Sequence, residues 1–217
     1  MTGTAARGRM DKRQAILDAA FEVFARCGYG QACVKEVAEV AGVAKPTVYN
    51  HLHDKETLFR HAVTAAAEGI AERTISALDA LRDPAGDLRE TLGQVTRELA
   101  ASCCDERAQA LRRLTYGETA QFPDVLESVH ARTALDLREV LADRLARLVV
   151  AGRLRPCEPG EAAGHLLALI TGPLDARSRM GTRAVPPAEV ERVAESAADV
   201  WWRAYGAPAG PAARWGS

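Results

Sequence analysis

Lys45, Pro46, Thr47, Val48, Tyr49, Asn50 and His51 run consecutively, and Lys55 follows a few residues later. On an α-helix, at about 100° per residue, Val48 and Leu52 share one side while Thr47, Asn50 and His51 share another. The apolar pair can dock on neighbouring helices, which leaves the polar triplet facing a partner. These side chains suit base-pair edges in a major groove: lysine donates to guanine O6 and N7, asparagine pairs with adenine, and the threonine methyl meets that of thymine. Tyr49, His51 and Lys55 are placed to hold phosphates, and the free N–H groups that open helices near Val34 and Lys55 add anion sites.

Other chemistry is thinner. His51 and His53 could form a metal pair, but no third ligand is near them in the sequence. Tyr116, Glu118, Gln121, Phe122, His130 and His165 are candidate polar and aromatic groups for a small-molecule pocket, each equally readable as a surface or a satisfied core residue. The five cysteines, Cys27, Cys33, Cys103, Cys104 and Cys157, form an odd set without zinc-type spacing and read as reduced thiols. No glycine-rich phosphate loop, nucleophile elbow or catalytic carboxylate or histidine cluster is present, so neither an enzyme nor a cofactor is expected.

The elements that position these groups follow from hydrophobic spacing. Ile16, Ala19, Ala20, Val23 and Phe24 form the stripe of an amphipathic helix over Asp11 to Arg26, which Gly28 and Gly30 should stop. Val34, Val37, Ala38 and Ala41 make a second, two-turn helix closed by Gly42, and Pro46 opens a third that ends near Leu52. Asp54 can cap a fourth, whose stripe from Leu58 continues towards Leu81. Asp83-Pro84 should end that helix and start the next, with Leu88, Leu92, Val95 and Leu99 as its seam. Further helices are expected over Asp105 to Tyr116, Pro123 to Val150, Glu161 to Arg179, kinked or cut short by Pro173, and Pro187 to Tyr205. The last two carry more apolar face than one domain needs, and Trp201-Trp202 reads as interface packing.

The 217 residues are 47% hydrophobic and 5% aromatic, a mix that favours helices and allows two packed units. Net charge is -1, but the first 60 residues hold nine Lys or Arg against seven acids, a surplus of two, while the remainder holds 19 against 22. The asymmetry matters only if helices gather those charges on one face. Residues 1–13 are basic without a following apolar run, and the window His165 to Leu174 is too short to span a bilayer, so a cytoplasmic protein is expected.

Two short helices around a glycine turn are the sequence form of a helix-turn-helix. The stretch VKEVAEVAGVAKPTVYNHLHDKETLF resembles the DNA-binding signature of TetR-type (TetR/AcrR-like) regulators in its Ala-Gly-Val turn, its Thr-hydrophobic-Tyr core and its Lys-Glu opening of the fourth helix. The resemblance implies a homodimer on a palindromic double-stranded operator, a divergent C-terminal pocket for a small-molecule effector, and release from DNA when that effector binds. By motif position it assigns DNA contacts to Lys45, Pro46, Thr47, Tyr49, Asn50, His51 and Lys55. Cys33 and Ala44 depart from it, standing where a hydroxyl residue usually caps the second and third helices. Further along, LRRLTYGETAQFPDVLESV and HLLALITGPLDARSRMG resemble one C-terminal subgroup, which implies that the last two long helices pair in a dimeric four-helix bundle.

The expectation is therefore an all-α protein: a helix-turn-helix domain over residues 1–55, with 1–10 a disordered arm, a ligand-binding and dimerisation domain over 56–205, and a disordered tail over 206–217. It would act as a ligand-responsive repressor that occludes its operator, with the fourth helix transmitting the ligand's effect. The alternative is a helical interaction protein that keeps the fold without operator binding.

Overall fold

The computed structural model describes residues 3–84 and 86–207, with side chains from Asp11 onward except that of His51. Among the described residues ten α-helices follow one another: α1 (Gly3–Gln31), α2 (Val34–Val40), α3 (Lys45–His51), α4 (Lys55–Ala77), α5 (Leu88–Cys104), α6 (Glu106–Gly117), α7 (Pro123–His130), α8 (Asp136–Val150), α9 (Pro159–Ser178) and α10 (Pro187–Tyr205). A short 3-10 turn, Leu78–Leu81, extends α4, and a π-helical turn, Ala131–Leu135, joins α7 to α8. No described helix is long and apolar enough to cross a membrane. The chain is all-α, as its composition predicts.

Two compact units divide the chain, one formed by the residues up to Ile70 with Glu106–Thr133, the other by Ala71–Asp105 with the residues from Ala134 on. This division differs from a simple cut before α4. The reason lies in the core of the first unit, where Leu111 and Leu114 of α6 and Phe122 and Val125 beyond it are buried with Phe24 of α1 and Phe59 of α4. Without α6 and α7 that apolar surface would face water. In the second unit α10 packs on α5 and α9, and α9 on α8, around Leu92, Leu99, Leu141, Leu145, Leu166 and Ile170.

Several sequence expectations need correction. Residues 3–10, expected as an arm, continue the α1 backbone, while Met1 and Thr2, like tail residues 208–217, lie outside the described residues. Gly28 breaks α1 as expected, with φ 72° and ψ 168°, yet the chain resumes a helical turn to Gln31. The helix after Pro84 does not begin there: Gly86 takes a left-handed φ of 87°, and α5 starts at Leu88 because the Asp87 side chain accepts the Arg89 N–H at 2.9 Å. The single helix expected over Pro123 to Val150 is interrupted by the π-helical turn, and its halves belong to different units. Nor does Pro173 end α9, which runs on to Ser178. A proline clashes with the Cβ of the residue before it, and that residue here is Gly172, which has none. Trp201 is not a surface anchor: it is 1% exposed, packed in the core of its own unit, and its indole N–H donates to the Ala162 carbonyl at 2.7 Å. Leu167, Leu169, Val190, Val200 and Trp202 are among the partly or largely exposed apolar residues of these two helices.

Candidate nucleic-acid interface

The site begins with the turn between α2 and α3. Val34, Val37 and Ala38 fix α2 to the core, and α2 then closes with Gly42 at φ 65°, while the Val43 N–H reaches back to the Ala38 carbonyl at 3.0 Å. A left-handed residue followed by such a back-bond satisfies the last carbonyls of a helix in very little chain. Across this tight turn α3 packs against α2.

Val48 within α3 and Leu52 just past its end are 0% and 2% exposed, and they hold the helix in place. Burying a valine fully is worth about 1.5–3 kcal/mol, enough to fix the register of a seven-residue helix that would not form alone. Lys45, Pro46, Tyr49 and Asn50 are exposed and Thr47 is half-buried. The sequence assigned the outward surface to Thr47, Asn50 and His51; the side chain of His51 lies outside the described residues. The Lys45 ammonium lies 5.7 Å from the centre of the Tyr49 ring, which steadies two of the exposed groups against each other. Donors and one stacked aromatic therefore stand clear of the protein on a rigid support.

Neither short helix has a side-chain cap. Cys33 and Ala44 occupy the N-cap positions in extended conformation, and no side-chain hydrogen bond reaches the amides beyond them. By contrast α4 is firmly started: Asp54 accepts the Thr57 N–H at 2.7 Å and the Thr57 hydroxyl at 3.2 Å. The Thr57 amide is the main reason that the Asp54 carboxyl is held below its ordinary pKa.

Lys55, expected to face phosphates, is more closely held than the sequence could tell. Its ammonium donates to the Gly30 carbonyl at 3.1 Å and sits 4.7 Å from the centre of the Tyr29 ring. Tyr29 in turn packs edge-on to Phe59 and Phe122, with centroids at 5.2 and 4.7 Å. Burial, followed by the charges of Glu56 and Asp54, raises the Tyr29 phenol above its ordinary pKa.

The six candidate pocket residues do not form one site. Glu118 accepts the Tyr29 N–H at 2.8 Å and Phe122 is buried beside the same ring, so these two come together in the core around Tyr29. Tyr116, Gln121 and His130 are exposed. His165 belongs to the second unit, where its Nδ1 meets the Tyr205 hydroxyl. None of the six lines either of two open grooves, one between α5 and α10 bordered by Arg89, Arg97 and Arg192, the other along α1 and α6 bordered by Asp18, Phe21 and Arg107. Among the described residues, no three His, Cys, Asp or Glu side chains gather as a metal site.

Comparison with known proteins fits this geometry. Residues 16–62 match the profile of the bacterial regulatory proteins of the tetR family, and residues 90–207 match that of the AefR-like transcriptional repressor C-terminal domain. The chain belongs to the TetR family. This TetR-family protein is 28% identical over 170 residues to the HTH-type transcriptional repressor Rv1474c of Mycobacterium tuberculosis, covering 78% of the chain and 83% of that relative. It is 26% identical over 172 residues to the HTH-type transcriptional regulator RutR of Escherichia coli K12, covering 78% and 74%. A crystal structure of a TetR-family regulator from Mesorhizobium loti superposes with a TM-score of 0.83 at 29% identity, covering 91% of this chain and 98% of the other. Like these relatives, this TetR-family protein is a DNA-binding transcriptional regulator.

Proposed function

We propose that this regulator is a homodimeric repressor that reads a palindromic operator with two copies of α3 and lets go when a small molecule binds its C-terminal portion. The observation that carries the reading is the arrangement of α3, where Val48 and Leu52 are buried while Lys45, Tyr49 and Asn50 stand exposed around them. Lys45, Thr47 and Asn50 then read base edges, Tyr49, His51 and Lys55 hold the backbone, and Pro46 lies among them at the DNA contact. Two half-sites one helical turn or a little more apart suit a two-fold dimer.

Effector control is transmitted along α4, a single helix whose residues contribute to both compact units. A tilt of that helix changes the separation of the two α3 elements, and affinity falls when both cannot dock together. The protein acts in the cytoplasm without catalysis, a reading that rests on its relatives being transcriptional regulators.

Selection of genomic fragments bound by the purified protein, followed by fluorescence anisotropy on the recovered duplexes, tests the reading. Enrichment of an inverted repeat bound by two chains is the expected result. Recovery of no preferred duplex would leave a helical interaction protein in its place.

A further inference from the structure

Glu118 stands just past the end of α6, 89 residues along the chain from Tyr29, and its Oε1 accepts the Tyr29 backbone N–H at 2.8 Å. That amide needs an acceptor because α1 breaks one residue earlier, at Gly28, whose φ of 72° turns the chain out of the helical pattern. A Cβ on Gly28 would lie 3.2 Å from the same carboxylate oxygen, so a side chain there would crowd Glu118 and force it to give by a few tenths of an ångström.

The segment pinned in this way carries both groups that hold Lys55. The Tyr29 ring presents its face to the ammonium, and the next residue, Gly30, supplies the carbonyl that accepts from it. Phe24 stacks nearly parallel to the tyrosine ring, and Phe59 and Phe122 meet it edge-on. The Glu118 main chain is itself anchored, its N–H donating to Leu114 at 3.0 Å and its carbonyl accepting from Phe122 at 2.8 Å. An unbroken series of contacts within the first unit therefore runs from the end of α6 to the first residue of α4.

We infer that Glu118 is a positioning residue for DNA binding: by holding the Tyr29–Gly30 segment it aims the Lys55 ammonium at a DNA phosphate. The inference rests on the reading of α3 and Lys55 as the DNA face. It gives Glu118 a role other than contact with an effector, and it makes the end of α6 a place from which grip on DNA is set. A free lysine loses several rotatable bonds when it docks on a phosphate, whereas a lysine already held on a ring face and a carbonyl has fewer to lose.

The test is a salt titration of binding to a fluorescent duplex recovered by selection with the wild-type protein. Lys55→Ala should lower the slope of log affinity against log salt by about 0.9, the contribution of one phosphate contact. Glu118→Ala should reproduce that loss with a drop in affinity on the order of tenfold, and the double variant should bind no more weakly than Lys55→Ala alone. Glu118→Gln, which keeps a carbonyl oxygen to accept the Tyr29 N–H, should bind like wild type. Should Glu118→Ala not fold, Tyr29→Leu reads the same link from its other side, because it removes the ring face and keeps the amide.

A general loss of stability would lower the active fraction and leave the salt slope alone. An unchanged slope in Glu118→Ala or Tyr29→Leu, or additive losses in the double variant, overturns the inference while the DNA reading stands. If Lys55→Ala leaves the slope unchanged, both the inference and the phosphate role of Lys55 fall. A wild-type protein that selects no duplex overturns the functional reading along with it.

Discussion

The indole N–H of Trp201 donates to the Ala162 carbonyl at 2.7 Å inside the second unit, tying the C-terminal turns of α10 to the start of α9. A tryptophan is buried at low cost when its one donor finds an acceptor, and this one also packs against the ring of Tyr205 at 4.9 Å. Trp201→Phe keeps most of the apolar volume and removes the donor. It should cost about 1–3 kcal/mol, combining a lost buried hydrogen bond with a small void. Urea denaturation monitored by circular dichroism would register this as a lower midpoint. A midpoint equal to wild type would mean that the bond contributes nothing to the fold.

Caps are missing at Cys33 and Ala44, and both backbones already have the extended conformation that a capping serine needs, with φ and ψ of -114° and 129° at Cys33 and -73° and 142° at Ala44. Cys33→Ser and Ala44→Ser should therefore each stabilise the first unit by about 1 kcal/mol. Both positions are exposed, so the change costs no core packing. The expected signature is a higher urea midpoint at unchanged slope for each variant, with nearly additive gains in the pair. No gain in either would indicate that water satisfies these amides as well as a hydroxyl does.

Local pattern made the helix-turn-helix legible, because Val34, Val37 and Ala38 and then Val48 and Leu52 fall at helical spacing on either side of a glycine that can turn left-handed. The site's support was not legible. Glu118 and Tyr29 are far apart in the chain, and nothing in the composition near either announces the other; only the fold brings a carboxylate to an amide orphaned by Gly28. The same limit explains the unit boundary: the apolar stripe of α6 is visible in the sequence, but whether Leu111 and Leu114 pack with Phe24 or with Leu141 is decided by tertiary structure. Trp201 departs from the expected interface packing because adjacent residues on a helix point about 100° apart, so it can be interior while Trp202 is half-exposed.

Asn50 is exposed on α3 and its side-chain amide makes no hydrogen bond to another described side chain or backbone group, so that amide is free to pair with a base. Asn50→Ala should weaken binding to the selected operator by about 1–3 kcal/mol and relax preference at one base pair per half-site, leaving the salt slope unchanged. Anisotropy titrations across a panel of single-base operator variants would check this. An equal loss on every variant would place Asn50 on the backbone and not on a base.

Asp199 accepts from Arg89 of α5 at 2.6 Å and from Arg203 one turn along α10 at 2.7 Å, and these two guanidinium groups hold its carboxyl below the usual carboxylate range. Since the folded value is depressed, the bonds add stability at pH values above the unfolded value of about 3.9, and that stability is lost as pH falls through the folded value. Asp199→Asn should therefore melt below wild type near neutrality, and the two melting curves should converge as the pH is lowered beneath about 4. The pair is exposed to solvent, so the neutral-pH gap should also narrow in high salt. A gap that persists unchanged into acid would show that the aspartate acts through packing, with its charge playing no part.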